Sequence, residues 1–183
     1  GSINMDTYLN VPQLPHTGKT VITSTSSVYP GGKGINQAIG ASRLGHRVTL
    51  IGNVGSDLDS DNIYRALNEN GVETHGVKRC LQTDTGKAYI FVDSNGDSMI
   101  SILTGANGIF TPQDICEKEH LFENTGYCLI QSEIPLDTMR EACRMAHKYH
   151  AKTIVKPSAC SSMTREILSE SRSEPTFPIS VTR

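Results

Sequence analysis

Short β-branched runs alternate along this chain with stretches of helical spacing. "TVITSTSSVYP" (20–30) reads as a strand closed by Pro30. In "INQAIGASRLG" (35–45), Ile35, Ala38, Ile39, Ser42 and Leu44 fall near one face, which predicts a helix ended by Gly45. "RVTLIGNVG" (47–55) reads as a buried strand. A second helix follows over 56–72, capped by Ser60 or Asp61, with Ile63, Ala66 and Leu67 inward and Gly71 at its end. Strand, helix and strand in that order predict a parallel sheet with crossover helices.

The pattern then changes. Two β-rich runs at 86–103 flank Asn95-Gly96, a hairpin signal, and a hairpin does not belong to a parallel array. It is therefore expected in a small separate sheet, with the 20–30 strand beside it as a flap. At 110–115 Thr111 caps a helix, Pro112 suits its first turn and Asp114 favours its dipole. "GYCLIQSEIP" (126–135) reads as a buried strand ending at Glu133. An amphipathic helix comes next, with Met139, Ala142, Cys143 and Ala146 inside, and then a strand at 151–159. From Leu168 the sequence turns polar and proline-broken.

Composition narrows the function classes. The 183 residues are 37% apolar and 20% charged with a net charge of −2, which gives no basic surface for nucleic acid or membrane. No apolar run is long enough to span a bilayer. The five cysteines, Cys80, Cys116, Cys128, Cys143 and Cys160, include no Cys-x-x-Cys pair and read as reduced thiols of a cytoplasmic protein.

Two polar stretches stand out from the packing pattern. "GSINMD" opens the chain as a turn, with Asn4 and Asp6 two residues apart. "PGGKGINQ" places Gly31, Gly32, Lys33, Gly34 and Asn36 at a helix start. It is neither a Walker A loop nor a dinucleotide fingerprint. What remains is a helix N-terminus whose free N–H groups suit hydroxyls or anions; a glycine turn needed only for backbone geometry is the competing reading. Asp6 and Glu133 each follow a strand-like run, and strand ends are where open α/β sheets bind ligands. His147 and His150 lack a third ligand nearby, and the acidic 56–61 run lacks the offsets of a calcium loop. No metal site is expected.

Taken in order, "GSINMD", "LPHTGKTV", "PGGKGINQAIGASRLG", "IGNVGSDLDSD", "GVETHGV", "TGKAYIFVDSNGDSMI", "GANGIFTPQDI" and "LIQSEIP" resemble the ribokinase-like carbohydrate kinases, the phosphofructokinase B family. The similarity runs from Gly1 to about Ala159, and weakly to Leu168. The resemblance implies an α/β fold: an α/β/α sandwich with a small β-sheet lid, incomplete at both ends, with 1–168 as the N-terminal part of the kinase domain and 169–183 unassigned. It implies transfer of the ATP γ-phosphoryl group, with Mg²⁺, to a sugar hydroxymethyl group, ribose foremost. By matched motif, Asn4, Asp6, Gly32, Lys33, Asn36 and Glu133 would bind the sugar's hydroxyls, and Ala88 and Ile90 its apolar face.

The family's Gly-Ala-Gly-Asp and Pro-Asn-x-x-Glu motifs are not found, and Lys156 stands where relatives carry Asn or Asp. The catalytic base is therefore expected beyond Arg183, and the chain is expected to be a fragment. A non-catalytic sugar-binding product and a nucleoside kinase of the same fold are the alternatives. A homodimer through the lid is expected, burying Tyr89, Phe91 and Ile102.

Overall fold

The computed structural model describes residues 1–157. The tail from Leu168 and the end of the 151–159 strand lie outside the described residues, as does Cys160. The element order is β1 (Asn4–Asn10), β2 (Thr25–Gly31), α1 (Lys33–Arg43), β3 (Gly52–Val54), α2 (Leu58–Glu69), β4 (Val77–Arg79), β5 (Gly86–Val92) and β6 (Ser98–Leu103). A 3-10 turn (Gly105–Ile109) leads to α3 (Pro112–Cys116), and β7 (Tyr127–Gln131), α4 (Leu136–Lys148) and β8 (Lys152–Lys156) complete it.

The strands form one four-stranded sheet, ordered β2-β1-β5-β6, and two parallel pairs, β3-β4 and β7-β8. In the large sheet β1 runs antiparallel to β2 and parallel to β5, and β5 is antiparallel to β6. The hairpin and the 20–30 region do share a sheet, but β1 lies between them. That strand is the main departure from the sequence reading, which took residues 1–6 as a turn. Its apolar set is only Met5 and Leu9 on one face, because Asn4 and Asp6 occupy inward positions on the other.

β2 starts at Thr25 rather than residue 20, and it includes Pro30. Proline donates no ladder hydrogen bond, and β2 lies at the edge of its sheet, where this is tolerated. The hairpin turn is as expected: Gly96 has φ 85°, and Asp93 Oδ1 accepts from Asn95 N at 2.8 Å and Asp97 N at 3.1 Å.

The helices follow their apolar spacing, with corrections at their ends. Ile35 and Ala38 of α1 are buried, but Leu44 is 80% exposed because the helix has ended at Arg43. The cap of α2 is Asp57, not Ser60 or Asp61. Asp57 Oδ1 accepts from Ser60 N at 3.1 Å and from Thr85 Oγ1 at 2.6 Å, and Oδ2 accepts from Thr85 N at 2.9 Å, so one carboxylate both starts α2 and anchors the entry to β5. Burial pushes the acidity of Asp57 one way, but the Thr85 and Ser60 hydrogen bonds win and hold its pKa below the ordinary value. Thr111 caps α3 as expected, and Asp114 closes a reciprocal capping box by accepting from Thr111 N at 2.8 Å.

The strand read at 47–55 contracts to three residues, with a single bridge between Thr49 and Glu73 before it, and its partner β4 was not foreseen. Two cores result. Ile3, Ile35, Val54, Ile63, Leu67 and Val77 pack between α1, α2 and the β3-β4 pair. Phe110, Ile115, Ile130, Met139, Met145 and Ala146 pack between α3, α4 and β7. The strand at 126–135 is buried only toward its end, at Ile130 and Gln131. No helix among the described residues is long and apolar enough to cross a membrane.

Candidate functional site

The start of β1, the start of α1 and the segment after β7 converge. Gly32, with φ 87°, lets the chain turn from β2 into α1, a conformation that L side chains rarely adopt. The turn brings the backbone of α1 against the residues just before β1: Gly34 N and Ile35 N donate to Ser2 O at 3.0 and 3.3 Å. A Cβ on Gly31 would fall 2.0 Å from Asp6 Oδ2, so the carboxylate fills the space glycine leaves.

The free N–H groups expected at this helix start are therefore not bare. Gly32 N–H and Lys33 N–H lie close enough to the Asp6 and Glu133 carboxylates to favour their charged forms, and the next two N–H groups donate to Ser2 O. Two acids from opposite ends of the described chain are docked on one helix N-terminus, where its partial positive charge favours them.

The two acids differ in state. Asp6 is 9% exposed, and its Oδ1 is sealed with no partner in the protein. Burial raises its pKa and nearby Glu133 adds to the rise, while Gly32 N–H and Lys33 oppose it. Glu133 is pushed upward by burial, but hydrogen bonds from Lys33 and Ser2, with the Lys33 charge, leave its pKa below the ordinary carboxylate value. Its Oε1 is ion-paired with Lys33 Nζ, and its Oε2 accepts from Ser2 Oγ at 2.7 Å. Lys33 thus spends one of its donors on Glu133.

A groove of about 340 Å³ opens beside Asp6, lined also by Tyr8, Tyr29, Pro30 and Asn36. Asn36 is exposed in the first turn of α1, with both its donor and acceptor available. Register places the rest. Asp6 pairs with Ala88 and Tyr8 with Ile90, so Asn4, Asp6, Tyr8, Ala88 and Ile90 share one sheet face, and Ala88 and Ile90 are buried. Ala88 pairs in turn with Ile102, and Ile90 with Ile100. Ile102 therefore lies on the face of Ala88 and Ile90, not with Tyr89 and Phe91; an interface using Tyr89 and Phe91 would include Met99 and Leu103 instead.

Of the eight residues singled out from the sequence, Asp6 and Asn36 line the groove, Asn4, Ala88 and Ile90 share the sheet face of Asp6, and Gly32, Lys33 and Glu133 meet at the start of α1. The sequence reading missed Ser2, Tyr8, Tyr29 and Asn107. Tyr8 had a signal, two positions beyond Asp6 on the same strand face. Tyr29 had one only through the β1-β2 register, which sets it opposite Asp6. The two rings meet edge to face, centroids 6.1 Å apart at 65°. Acceptors, donors and an apolar wall together suit a polyol, whose hydroxyls need both kinds of partner and whose C–H face needs cover.

Cys80, Cys116, Cys128 and Cys143 are half-buried, and none of them is in a disulfide. Burial pushes the Cys128 thiol up to about 12, which leaves it unreactive at neutral pH.

Known proteins with this arrangement agree on the family. The model for the pfkB family of carbohydrate kinases matches residues 1–176. The ribokinase of Bacillus subtilis is 34% identical over 168 residues, covering 92% of this chain and 57% of that protein. The ribokinase structure from Thermotoga maritima superposes with a TM-score of 0.82 at 29% identity, over 93% of this chain and 55% of that one. Arabidopsis thaliana ribokinase, solved with ribose and ATP, gives 0.74 at 30% identity, over 85% and 51%. The chain spans about half the length of each of these proteins. With the matched model, the parallel strand pairs and the crossover helices in agreement, the chain belongs to the pfkB family of carbohydrate kinases and has the ribokinase-like α/β fold.

Proposed function

We propose that the whole protein is an ATP-dependent kinase that phosphorylates the hydroxymethyl group of a sugar, ribose to ribose 5-phosphate, and that this chain supplies the sugar-binding part. The observation that carries it is the pair of carboxylates, Asp6 and Glu133, docked on one helix N-terminus beside an apolar sheet face. Asp6 borders the groove and accepts hydrogen bonds from sugar hydroxyls. Glu133 and Lys33 hold each other so that each presents a fixed donor or acceptor. Asn36 and Asn4 supply amide contacts, and Ala88 and Ile90 cover the ring's C–H face. Fixing the sugar in this way orients its reacting hydroxyl, which is much of what phosphoryl transfer asks of a protein.

This reading places ATP, Mg²⁺ and the catalytic base outside the described residues. Among those residues no group of three or more metal-ligating side chains occurs, so no step through the metal is assigned to them. The full-length protein should release ADP only when ribose is present, in a coupled assay. ADP release indifferent to ribose would overturn the proposal.

One observation favours a second reading. The edge-to-face pair of Tyr8 and Tyr29 lines the groove and offers an aromatic surface to a planar group, as a nucleoside carries. Adenosine replacing ribose as the better substrate would favour that reading.

A homodimer through the lid completes the proposal. Val28, Tyr89, Met99 and Leu103 stand exposed on one face of the sheet, the face opposite Asp6 and Ala88, and paired lids would cover them. Sedimentation at micromolar concentration should give a dimer that Phe91→Asp dissociates; a monomer throughout sinks this part.

A further inference from the structure

Asn107 lies in the 3-10 turn after β6 and is 3% exposed. Its carboxamide is tied to the first residues of β1 by three hydrogen bonds. Oδ1 accepts from Ile3 N at 2.9 Å, and Nδ2 donates to Ile3 O at 2.9 Å and to Asn4 Oδ1 at 2.8 Å. The orientation of Asn107 is not a free choice. Ile3 offers a backbone N–H that can only donate and a backbone oxygen that can only accept, so oxygen and nitrogen of Asn107 must lie as they do. Its remaining N–H then requires an acceptor, and that fixes Asn4 with its oxygen toward Asn107 and its NH₂ away. The Asn4 Nδ2 is not among the sealed, unpartnered atoms, and Asn4 shares a sheet face with Asp6.

Gly86 completes the device. A Cβ there would fall 2.2 Å from Asn107 Nδ2 and 2.4 Å from Asn4 Oδ1. The two amides meet across a backbone position that must stay bare.

We propose that Asn107 is a positioning residue that sets the polarity of Asn4, making it a hydrogen-bond donor to the substrate beside the acceptor Asp6. The proposal rests on the reading of the groove as a sugar site. A hydroxyl donates one proton and accepts at its lone pairs. Asp6 accepts a hydrogen bond from a sugar hydroxyl, and Asn4 donates one to an oxygen of the same vicinal pair. A deoxy sugar leaves one of these partners unmatched, and sites built to bond a hydroxyl reject analogues that lack it.

The test compares the protein with two variants, titrated with ribose, 2-deoxyribose and 3-deoxyribose. Asn107→Asp keeps the acceptor for Ile3 N but cannot donate, so Asn4 turns its NH₂ inward and shows its oxygen to the groove. Asn4→Asp keeps the acceptor for Asn107 and removes the donor to the ligand. The unaltered protein should prefer ribose over one deoxy sugar by tenfold or more. Both variants should lose about tenfold in ribose affinity, and their ribose-to-deoxyribose ratio should fall within threefold of unity. A ratio unchanged in both, whatever happens to Tm, overturns the proposal.

A second measurement needs neither ligand nor variant. Side-chain amide exchange on ¹⁵N-labelled protein should show the Asn107 NH₂ protected and the Asn4 NH₂ fast. The reverse, or both protected, also overturns it. If ribose does not bind the unaltered protein while the exchange pattern holds, the sugar reading falls and the orientation of Asn4 stands.

Discussion

The two ends of the four-stranded sheet share strands but not surroundings. At the root, Asn4, Met5, Asp6 and Ala88 are buried, and Asn4 is tied to Asn107 of the 3-10 turn. Toward the tip, Val28, Met99 and Ile100 stand in solvent, although they are as apolar as a core. At the root, polar groups are held in a low-dielectric setting where each hydrogen bond counts for more and each unmatched group costs more. The tip carries apolar area that gains nothing until something covers it. Substitutions at the root should therefore strike binding and folding together, while those at the tip should touch only association or substrate range.

The strongest challenge to that contrast is Gly31→Ala. The added carbon would meet Asp6 Oδ2 at 2.0 Å, so ribose binding should be lost beyond detection by calorimetry. A tolerated alanine would mean that Asp6 does not occupy this place. Asp6→Asn comes next. The carboxylate accepts charge-assisted hydrogen bonds worth about 1.5–3 kcal/mol, so affinity for ribose should fall roughly 10- to 150-fold. Unchanged affinity would remove Asp6 from the site.

Glu133→Gln sharpens the contrast through pH. The folded pKa of Glu133 is lowered, so its contribution to stability is fully present above its unfolded value of about 4.3 and is lost as pH falls through the folded one. The variant should melt below the parent at pH 7, and the gap should close as pH drops through the acid range below 4. A gap independent of pH would contradict the assigned state. The smallest effect is expected at the tip. Ile100→Ser should leave stability within about 0.5 kcal/mol and ribose affinity within threefold; a larger loss would show that the tip belongs to the same packed unit as the root.

What the sequence disclosed follows the same division. Helices α1, α2 and α4 were legible because apolar spacing is local, and the β5-β6 hairpin because Asn95-Gly96 is a local turn signal. β1 was hidden because two of its inward positions, Asn4 and Asp6, are polar for the sake of the site. The α2 cap was misplaced because the hold of Asp57 on Thr85 lies 28 residues away. Asp6 and Glu133 could be picked out as acids following strand-like runs, Asn4 as an amide two residues from Asp6, and Gly32, Lys33 and Asn36 as a polar helix start, while the family resemblance alone placed Ala88 and Ile90. Ser2 and Asn107 left no mark at all. Their partners, Glu133 and Asn4, are 131 and 103 residues distant, and nothing local to a serine or an asparagine announces such a bond.

Those separations also set an order in time. Ser2 and Asp6 are among the first of these residues to be made, and Glu133 joins them only after 131 further positions have been added. At a synthesis rate of about 5–20 residues/s, the first residues wait roughly 7–26 s for the carboxylate that completes their environment. During that interval the root of the sheet has no fixed partner, and the parallel pairing of β1 with β5 must also close over a long intervening segment. Contacts of such range close slowly because the loop entropy is lost before they form. The pocket is thus expected to assemble as one of the last acts of folding, on a helix core that can already stand.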